Sequence, residues 1–285
     1  MSNLAVLQSP PLDYEGVHLK RSIRTVSRRK GEWLANVKIN SKHIHKDVRD
    51  LWIDRDYPEV INVAAGPSLA NDMEDLKKLR VGRELIVVDA AFKFCLENQV
   101  IPDFVVSTDA SEKILSMFDG IDLRKLPTKL ILNVIAHPKV AETWRGDIYW
   151  FVMNNQFYDA DEHEMIQMMH SIHSGIGQAY LVPGGNVSSI SLGLALTYRR
   201  ATKLYLFGHD FCWKKDMYCG GYFQDLAAER LSDEGKSGTV FETMNARGEK
   251  VWTNLSLRNF AAWHQEVINR VKERVVNCTS STILS

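Results

Sequence analysis

The sequence predicts an α/β fold in which a mostly parallel sheet is flanked by helices. From Pro58 onward, short apolar runs alternate with helical stretches, and this alternation is typical of βαβ units. Residues 214–250 are rich in Gly, Asp, Lys and Glu and break the alternation, so we expect a lid-like insertion there. The predicted organisation is a Rossmann-like domain over residues 57–285, preceded by a basic helical extension over residues 1–56.

The elements of this fold follow from the apolar runs and the helical periodicity. Strands are predicted at residues 60–65, 85–89, 104–107, 129–133, 148–152, 203–208 and 275–278. Helices are predicted at residues 72–79, 90–99, 111–118, 161–173, 188–198 and 255–273. Most strands are followed by a helix, which is the crossover that a parallel sheet requires.

Composition excludes several classes of protein. The chain has 285 residues, 45% apolar and 25% charged, as a globular protein has and a disordered one does not. Lys+Arg and Asp+Glu both number 35, so the whole chain has no net attraction to polyanions. No apolar run approaches the roughly 20 residues of a membrane helix, and the first residues lack a signal-peptide pattern. We expect a cytoplasmic protein without a membrane span, whose cysteines are reduced thiols.

The front of the chain is locally basic. Residues 1–56 hold eleven Lys/Arg and seven Asp/Glu, and the run from His18 to Lys30 contains no acid. Leu19, Ile23 and Val26 recur in it at helical spacing, which predicts a basic amphipathic helix. Such a helix either packs its apolar stripe on the body of the protein or contacts a polyanion such as nucleic acid or lipid headgroups.

Chemistry is expected at the carboxyl ends of the strands, where open α/β sheets bind ligands. Gly66, Pro67 and Ser68 follow the first strand, and the glycine, the Ser68 hydroxyl and the amides at the helix entrance can hold a phosphate. A tight turn capped by Ser68 is the alternative. Asp89 ends the second strand and is a nucleotide-binding candidate. Asp109 follows the third, where it can ligate magnesium, contact a ribose or cap a helix.

A glycine pair precedes the helix predicted at residues 188–198. Gly184, Gly185, Asn186 and Ser188 supply backbone and side-chain donors beside the positive end of the helix dipole, which predicts a phosphate site. The turn has neither the lysine of a P-loop nor the spacing of GxGxxG. A purely structural helix start is the alternative.

A histidine and a carboxylate follow the strand predicted at residues 203–208. His209 or Asp210 can act as a general base or bind a metal. Because adjacent residues of an extended chain point to opposite faces, we expect only one of them to face the crevice. A buried, hydrogen-bonded structural Asp210 is the alternative.

Taken in order, these motifs resemble those of a known family. The sequence GPSL, then PDFVVSTD, GGNVSSISLGLAL and KLYLFGHDF, and finally VWTN…VVNCT, resembles the domain shared by archaeal MptE-like 6-hydroxymethylpterin diphosphokinases and bacterial motility accessory factors. The latter are implicated in putting nonulosonic sugars on flagellin. A more distant similarity reaches the bacterial CMP-sialic-acid sialyltransferases. The resemblance covers roughly residues 60–279 and implies a nucleotide-binding transferase domain.

The resemblance also implies roles for matching residues. The GPSL turn contacts the donor nucleotide in the sialyltransferases, and the glycine-rich helix start holds nucleotide or phosphate in such folds. Two departures limit the transfer. The MptE-like kinases carry a DLDG motif where this chain has TDAS, so a metal site at Asp109 is poorer. The sialyltransferases place a catalytic histidine where this chain reads VWTN, so their base has no counterpart there.

We therefore expect a nucleotide-dependent transferase, and specifically a glycosyltransferase that moves a sugar from a nucleotide-activated donor to a hydroxyl of a protein, glycan or nucleic acid. The donor phosphates are expected on the turns at Gly66 and Gly185, with His209 or Asp210 as the catalytic base. A magnesium-dependent diphosphokinase that uses ATP, with the ion at Asp109 and Asp210, is the first alternative. A non-catalytic nucleic-acid-binding or assembly factor that works through the basic helix is the second.

Overall fold

The computed structural model describes residues 29–54, 56–153, 179–223, 225, 228 and 240–285. The helix predicted at residues 161–173 and most of the basic run lie outside these ranges. Within them, the fold is the Rossmann-like α/β fold that the sequence predicts. No helix in the described ranges is both long and apolar enough to cross a membrane.

The main sheet is parallel throughout. Its strands are β1 (Glu59–Val63), β2 (Glu84–Val88), β3 (Phe104–Ser107), β4 (Lys129–Asn133), β5 (Ile148–Met153), β6 (Tyr180–Leu181), β7 (Lys203–Phe207) and β10 (Val275–Asn277). They lie in the order β10-β7-β1-β2-β3-β4-β5-β6. Helices cover both faces, which is why the central strands are continuous apolar runs. The seven predicted strands are all present.

Three strands were not predicted from the sequence. β6 has only two residues, too few to give a pattern. An antiparallel pair, β8 (Val240–Met244) and β9 (Lys250–Asn254), forms a separate two-stranded sheet. β8 falls inside the predicted insertion, and its sequence VFETM does not alternate between apolar and polar residues, so it gives no strand signal.

The chain reverses its direction across the sheet at β1. From β1 it proceeds outward through β2 to β6, and it then returns to place β7 on the other side of β1. Ile61 pairs with Tyr205 across this junction. In doubly wound sheets the crevice outside the carboxyl ends of the strands at such a reversal is the usual ligand site. A ligand site is therefore expected at the loops after β1 and β7.

The described residues include six α-helices. They are α1 (29–40), α2 (Leu69–Leu79), α3 (Asp89–Glu97), α4 (Pro138–Thr143), α5 (Val187–Thr197) and α6 (Leu255–Arg270). The helix predicted at residues 111–118 is instead a 3-10 helix, Glu112–Met117. The helix predicted at residues 255–273 ends at Arg270, and a short 3-10 turn follows. α4 was not predicted, because six residues are too few to show a period.

α5 is the central helix of the fold. All its residues from Ser188 onward are buried, as expected for a helix that is apolar or small on every side. It packs on β1, β2 and β3, and the Ser191 hydroxyl donates to Asn62 Oδ1 in β1 at 3.1 Å. The start of α5 is thereby fixed near the carboxyl edge of the sheet.

α1 is attached to the same edge by two asparagines on one helical face. Asn36 Nδ2 donates to the carbonyls of Ala110 and Ile135, both at 3.0 Å. Asn40 Nδ2 donates to the carbonyls of Val134 and Ala136 at 2.9 and 2.8 Å. Both side chains are buried. These bonds hold α1 against the loops that follow β3 and β4, so the described part of the N-terminal extension packs on the body of the protein.

Replacing Asn40 by alanine is expected to destabilise the protein by about 2–3 kcal/mol, because two buried carbonyls lose their donor. Lys38→Ala, an exposed change on the same helix, is the control and should cost less than about 0.5 kcal/mol. Denaturant unfolding measures both values. Equal free energies of unfolding for the two variants would show that α1 is not anchored by Asn40.

Candidate functional site

The loops after β1 and β7 are joined by one carboxylate. Asp210 Oδ2 accepts a hydrogen bond from the Ser68 amide at 2.8 Å, and Asp210 Oδ1 lies 2.8 Å from the Ser68 hydroxyl. Both residues are buried. Ser68 immediately precedes α2, so the carboxylate occupies the helix entrance where the sequence predicts a phosphate. A phosphate at Ser68 would have to displace Asp210 from both donors.

A second carboxylate shares the Ser68 hydroxyl. Asp72 Oδ2 lies 3.2 Å from Ser68 Oγ and accepts from the Ser280 amide at 2.8 Å. The hydroxyl has one hydrogen and cannot donate to two carboxylates at once. A protonated Asp210 resolves this, because it donates to Ser68 Oγ while Ser68 donates to Asp72. In agreement, burial raises the pKa of the Asp210 carboxyl to about 7, against the lowering effect of the Ser68 hydrogen bonds.

Gly66 makes this close approach possible. A Cβ at Gly66 would lie 2.1 Å from Asp210 Oδ1 and 2.4 Å from the Gly208 carbonyl oxygen. The Gly66 amide donates to that same carbonyl at 2.8 Å. The glycine therefore lets the two loops of the protein approach each other. Pro67 is half-buried between Gly66 and Ser68.

The start of α5 is the other predicted anion site. Gly185 is exposed and has a φ of 97°, a left-handed conformation that favours glycine. Asn186 caps the helix, its Oδ1 accepting from the Ser189 amide at 3.1 Å. The amides of Val187 and Ser188 have no acceptor within the helix, as at any helix start. These groups give the turn a positive end next to the exposed Gly185.

The serine hydroxyls of this turn are used inside the protein. Ser189 Oγ donates to the Asn186 carbonyl at 2.6 Å and accepts from the Gly184 amide at 2.7 Å. Ser188 Oγ lies 3.3 Å from His264 Nε2. Both serines are buried. The hydroxyls of Ser188 and Ser189 are therefore engaged within the protein, which leaves the backbone amides as the groups of the turn that could contact an anion.

His209 and Asp210 are both buried and contact different residues. His209 is buried, its Nε2 lies 3.0 Å from Asn62 Oδ1, and its ring centre is 5.5 Å from that of His264. Burial lowers the pKa of His209 well below its ordinary value, and the neighbouring His264 adds to this. His209 is therefore neutral at pH 7.

The last residues of the chain cover the end of β7. Thr282 Oγ1 donates to the His209 carbonyl at 2.7 Å, and the Ile283 amide donates to the Asp210 carbonyl at 3.1 Å. The Ala246 amide donates to the Thr282 carbonyl at 2.7 Å. This cover was not predicted, because short polar residues after the final strand give no periodic signal.

Asp89 and Asp109 lie at the neighbouring strand ends. Asp89 is buried at the start of α3, and its Oδ1 accepts from the Ala90 amide at 2.8 Å. Asp109 is partly exposed, and its Oδ1 accepts from the Ser111 amide at 2.8 Å and from the Arg29 guanidinium at 3.4 Å. No group of three or more His, Cys, Asp or Glu that could hold a metal occurs in the part of the chain that is described.

The structure thus brings the predicted residues into two groups. Gly66, Ser68 and Asp210 are in direct contact, while the turn from Gly184 to Ser188 contacts α6. Ala65, next to Gly66, and Val187, next to Asn186, pack against the same two apolar clusters. Sequence reasoning missed Asn62, Asp72 and His264. Asn62 could have been found as a polar residue inside an apolar strand. His264 could have been found from its three-residue spacing to Ala261 and Val267 on the buried face of α6.

The fold defines a class, the doubly wound α/β proteins, which commonly bind ligands at a strand-order reversal such as the one between β1 and β7. The chain belongs to the MptE-like family: the family model described as 6-hydroxymethylpterin diphosphokinase MptE-like matches residues 32–216. This match confirms the resemblance found in the sequence and supports a transferase-like function. No curated protein matches the chain.

A solved structure is similar to this chain over most of its length. The MAf glycosyltransferase from Magnetospirillum magneticum AMB-1 has 15% sequence identity and a TM-score of 0.58, with 80% of this chain and 33% of that chain covered. This chain therefore spans about a third of that protein, and at this identity the likeness supports the fold alone. The spore cortex-lytic enzyme SleL of Bacillus megaterium QM B1551 also matches, at 11% identity over 80% of this chain and 71% of that one, but its TM-score of 0.22 carries no argument.

Proposed function

We propose that the protein is a nucleotide-dependent transferase that moves a sugar from a nucleotide-activated donor to an acceptor hydroxyl. The observation that carries this proposal is the position of the α5 start beside the strand ends at the reversal point of a doubly wound sheet. Membership of the MptE-like family supports the transferase class. The MAf glycosyltransferase, which shares the fold, favours a sugar as the transferred group.

The donor phosphates would bind at the start of α5. Gly185 is exposed, and the amides of Val187 and Ser188 lie at the positive end of an eleven-residue helix. Two or three amide donors and the helix dipole would stabilise the negative charge that grows on the leaving phosphate. The turn at Gly66 would form the opposite wall and would contact the nucleotide through its backbone.

Asp210 is the group best suited to move a proton. A pKa of about 7 places its proton gain and loss near neutral pH, which is the optimum for a general base. It would take the hydrogen of the acceptor hydroxyl as the anomeric carbon develops oxocarbenium character. In the proposed reaction, His209 holds Asn62 and supports the end of β7.

A magnesium-dependent diphosphokinase is the second candidate, favoured by the description of the family model. Its metal would need several oxygen ligands. In the described ranges Asp109 is engaged by Arg29 and the Ser111 amide, and no three candidate ligands lie together. These residues do not fit a metal site, so we derive no step through magnesium.

A thermal-shift panel of CMP, CDP, UDP, GDP and ATP, with and without magnesium, tests the proposal. A ligand that binds only the folded protein increases the free energy of unfolding by mass action, by about 2.7 kcal/mol at 100 times its Kd. The melting temperature rises accordingly. We expect a shift with CMP, CDP, UDP or GDP that does not need magnesium. A shift with ATP that requires magnesium would favour the diphosphokinase, and no shift with any nucleotide would contradict both.

Asn186→Asp locates the binding site. The aspartate can keep the cap on the Ser189 amide, so the fold should be retained, but its charge would repel a phosphate at the start of α5. We expect the nucleotide-induced shift to be lost. Asn269→Asp, which adds the same charge at an exposed position of α6, is the control and should keep it.

A further inference from the structure

The turn that leads into α5 rests on two neighbouring residues of α6. A Cβ at Gly184 would lie 2.4 Å from Cδ2 of Trp263, so the turn and the indole are in direct contact. The next residue, His264, lies 3.3 Å from Ser188 Oγ. Trp263 and His264 are both buried, and their rings are 5.2 Å apart. α6 therefore forms a platform under the turn from Gly184 to Ser188.

The hydrogen bonds of His264 fix which atom carries its proton. Nδ1 lies 2.8 Å from the Phe260 carbonyl oxygen, which can only accept, so Nδ1 carries the hydrogen. Burial lowers the pKa of His264 to about 4, so the ring is neutral at pH 7 and Nε2 has no hydrogen. Ser188 must then donate its hydroxyl hydrogen to Nε2. That hydrogen is no longer available to a phosphate.

We propose that His264 is a positioning residue for the anion-binding turn. By accepting the Ser188 hydrogen, it holds the first turn of α5 in the orientation in which the amides of Val187 and Ser188 face the diphosphate of a nucleotide. This inference rests on the proposed nucleotide site and assigns His264 a role that acts through Ser188. In this inference the backbone amides of the turn recognise the diphosphate group of the nucleotide.

Two substitutions separate the two hydrogen bonds of His264. His264→Gln places an amide oxygen near the position of Nε2 and keeps an acceptor for Ser188. His264→Asn places an amide nitrogen near Nδ1 and keeps the donor to Phe260, but offers nothing to Ser188. The bond to Phe260 is local to α6, whereas the bond to Ser188 joins α6 to α5. If His264 only packs within α6, His264→Asn should be the better tolerated variant. If His264 positions the turn through Ser188, His264→Gln should be the better tolerated one.

The test is isothermal titration calorimetry of the full chain with CDP and with UDP, after melting curves have verified that each variant is folded. His264→Asn is expected to weaken binding about tenfold, while His264→Gln stays within about threefold of the wild type. Ser188→Ala should match His264→Asn, and the double variant Ser188→Ala/His264→Asn should be no weaker than either, because both remove one interaction.

The alternatives give different results. If Ser188 itself donates to the phosphate, Ser188→Ala weakens binding but His264→Asn leaves it unchanged or improves it, and the inference is overturned. Equal affinities for both His264 variants and the wild type also overturn it. If His264→Gln fails to fold, His264→Asn and Ser188→Ala still decide, since only the inference predicts that both weaken binding. If His264→Asn fails to fold, unchanged affinity of Ser188→Ala overturns the inference. If the wild type binds none of the nucleotides of the thermal-shift panel, the proposed function itself fails.

Discussion

Gly66→Ala is expected to destabilise the protein strongly. The added Cβ would lie 2.1 Å from Asp210 Oδ1 and 2.4 Å from the Gly208 carbonyl oxygen, far inside van der Waals contact. The atom met at Gly208 belongs to the backbone, and Gly208 itself has a φ of 67°. A Cβ placed on Gly208 would be 2.3 Å from the Ala64 carbonyl oxygen, so neither loop can easily move away. We expect a loss of about 3 kcal/mol or more in the free energy of unfolding.

Gly31→Ala is the matched control. Gly31 lies in the described part of α1, and a Cβ there would meet nothing within 4 Å. Because alanine has the higher helix propensity, this variant should gain up to about 1 kcal/mol. Urea unfolding followed by circular dichroism measures both variants. If Gly66→Ala is as stable as Gly31→Ala, the loops after β1 and β7 do not approach each other as described.

Asp210→Ala and Asp210→Asn should differ sharply. Alanine leaves the Ser68 amide and hydroxyl without their buried partner, at a cost of about 3 kcal/mol. Asparagine resembles the protonated acid, because its oxygen can accept from the Ser68 amide and its nitrogen can donate to Ser68 Oγ. At neutral pH we therefore expect Asp210→Asn to be nearly as stable as the wild type, measured by thermal denaturation. If asparagine is as costly as alanine, the protonated carboxyl is not the form that the fold holds.

The same carboxyl predicts how stability depends on pH. Its pKa rises from 3.8 to about 7 on folding, so the folded state favours the protonated form. The stabilisation is complete below pH 3.8 and is lost as the pH rises through about 7. The wild type should therefore lose more stability than Asp210→Asn between pH 5 and pH 8.5. Asp75→Asn, an exposed change on α2, should follow the wild type, and identical pH profiles for all three proteins would refute the assignment.

Catalysis separates the two roles of Asp210. As a base, its carboxylate must accept the proton of the acceptor hydroxyl, which an amide cannot do, so Asp210→Asn would abolish sugar transfer while leaving the fold intact. If Asp210 only links the two loops, the Asp210→Asn variant should still support turnover. The melting curve and the turnover of this one variant therefore report on different functions of the same side chain.

Much of the fold could be predicted because the signals are local. The runs that become β1, β2 and β7 are buried on both faces and read as continuous apolar segments, and α5 is apolar or small throughout. β6 and α4 are too short to show a period, and β8 lies in a polar segment. The basic run from His18 to Lys30 lies mostly outside the described residues. The contacts of α1 could not be predicted, because Asn36 and Asn40 bond to carbonyls remote in sequence.

The site was predictable in its location and not in its contacts. Strand ends can be read from a sequence, and the topology of parallel sheets places them at one edge. Which donors face each other there depends on pairs far apart in the chain, such as Ser68 with Asp210 or Ser188 with His264. The sequence of a hydroxyl residue or a glycine is the same whether that residue contacts a ligand or another loop. The sequence offers Gly66 and Ser68 as ligand contacts or as a tight turn, and it could not show that both contact Asp210 in the fold.

Hydrogen–deuterium exchange of the full chain, with and without a saturating nucleotide from the thermal-shift panel, tests the location of the site most directly. If the diphosphate binds to the start of α5 opposite the β1 loop, exchange should slow in peptides that contain residues 184–188 and 65–68, and it should slow less in Asn186→Asp. Binding that leaves both segments unchanged and protects another part of the chain would contradict the proposed site.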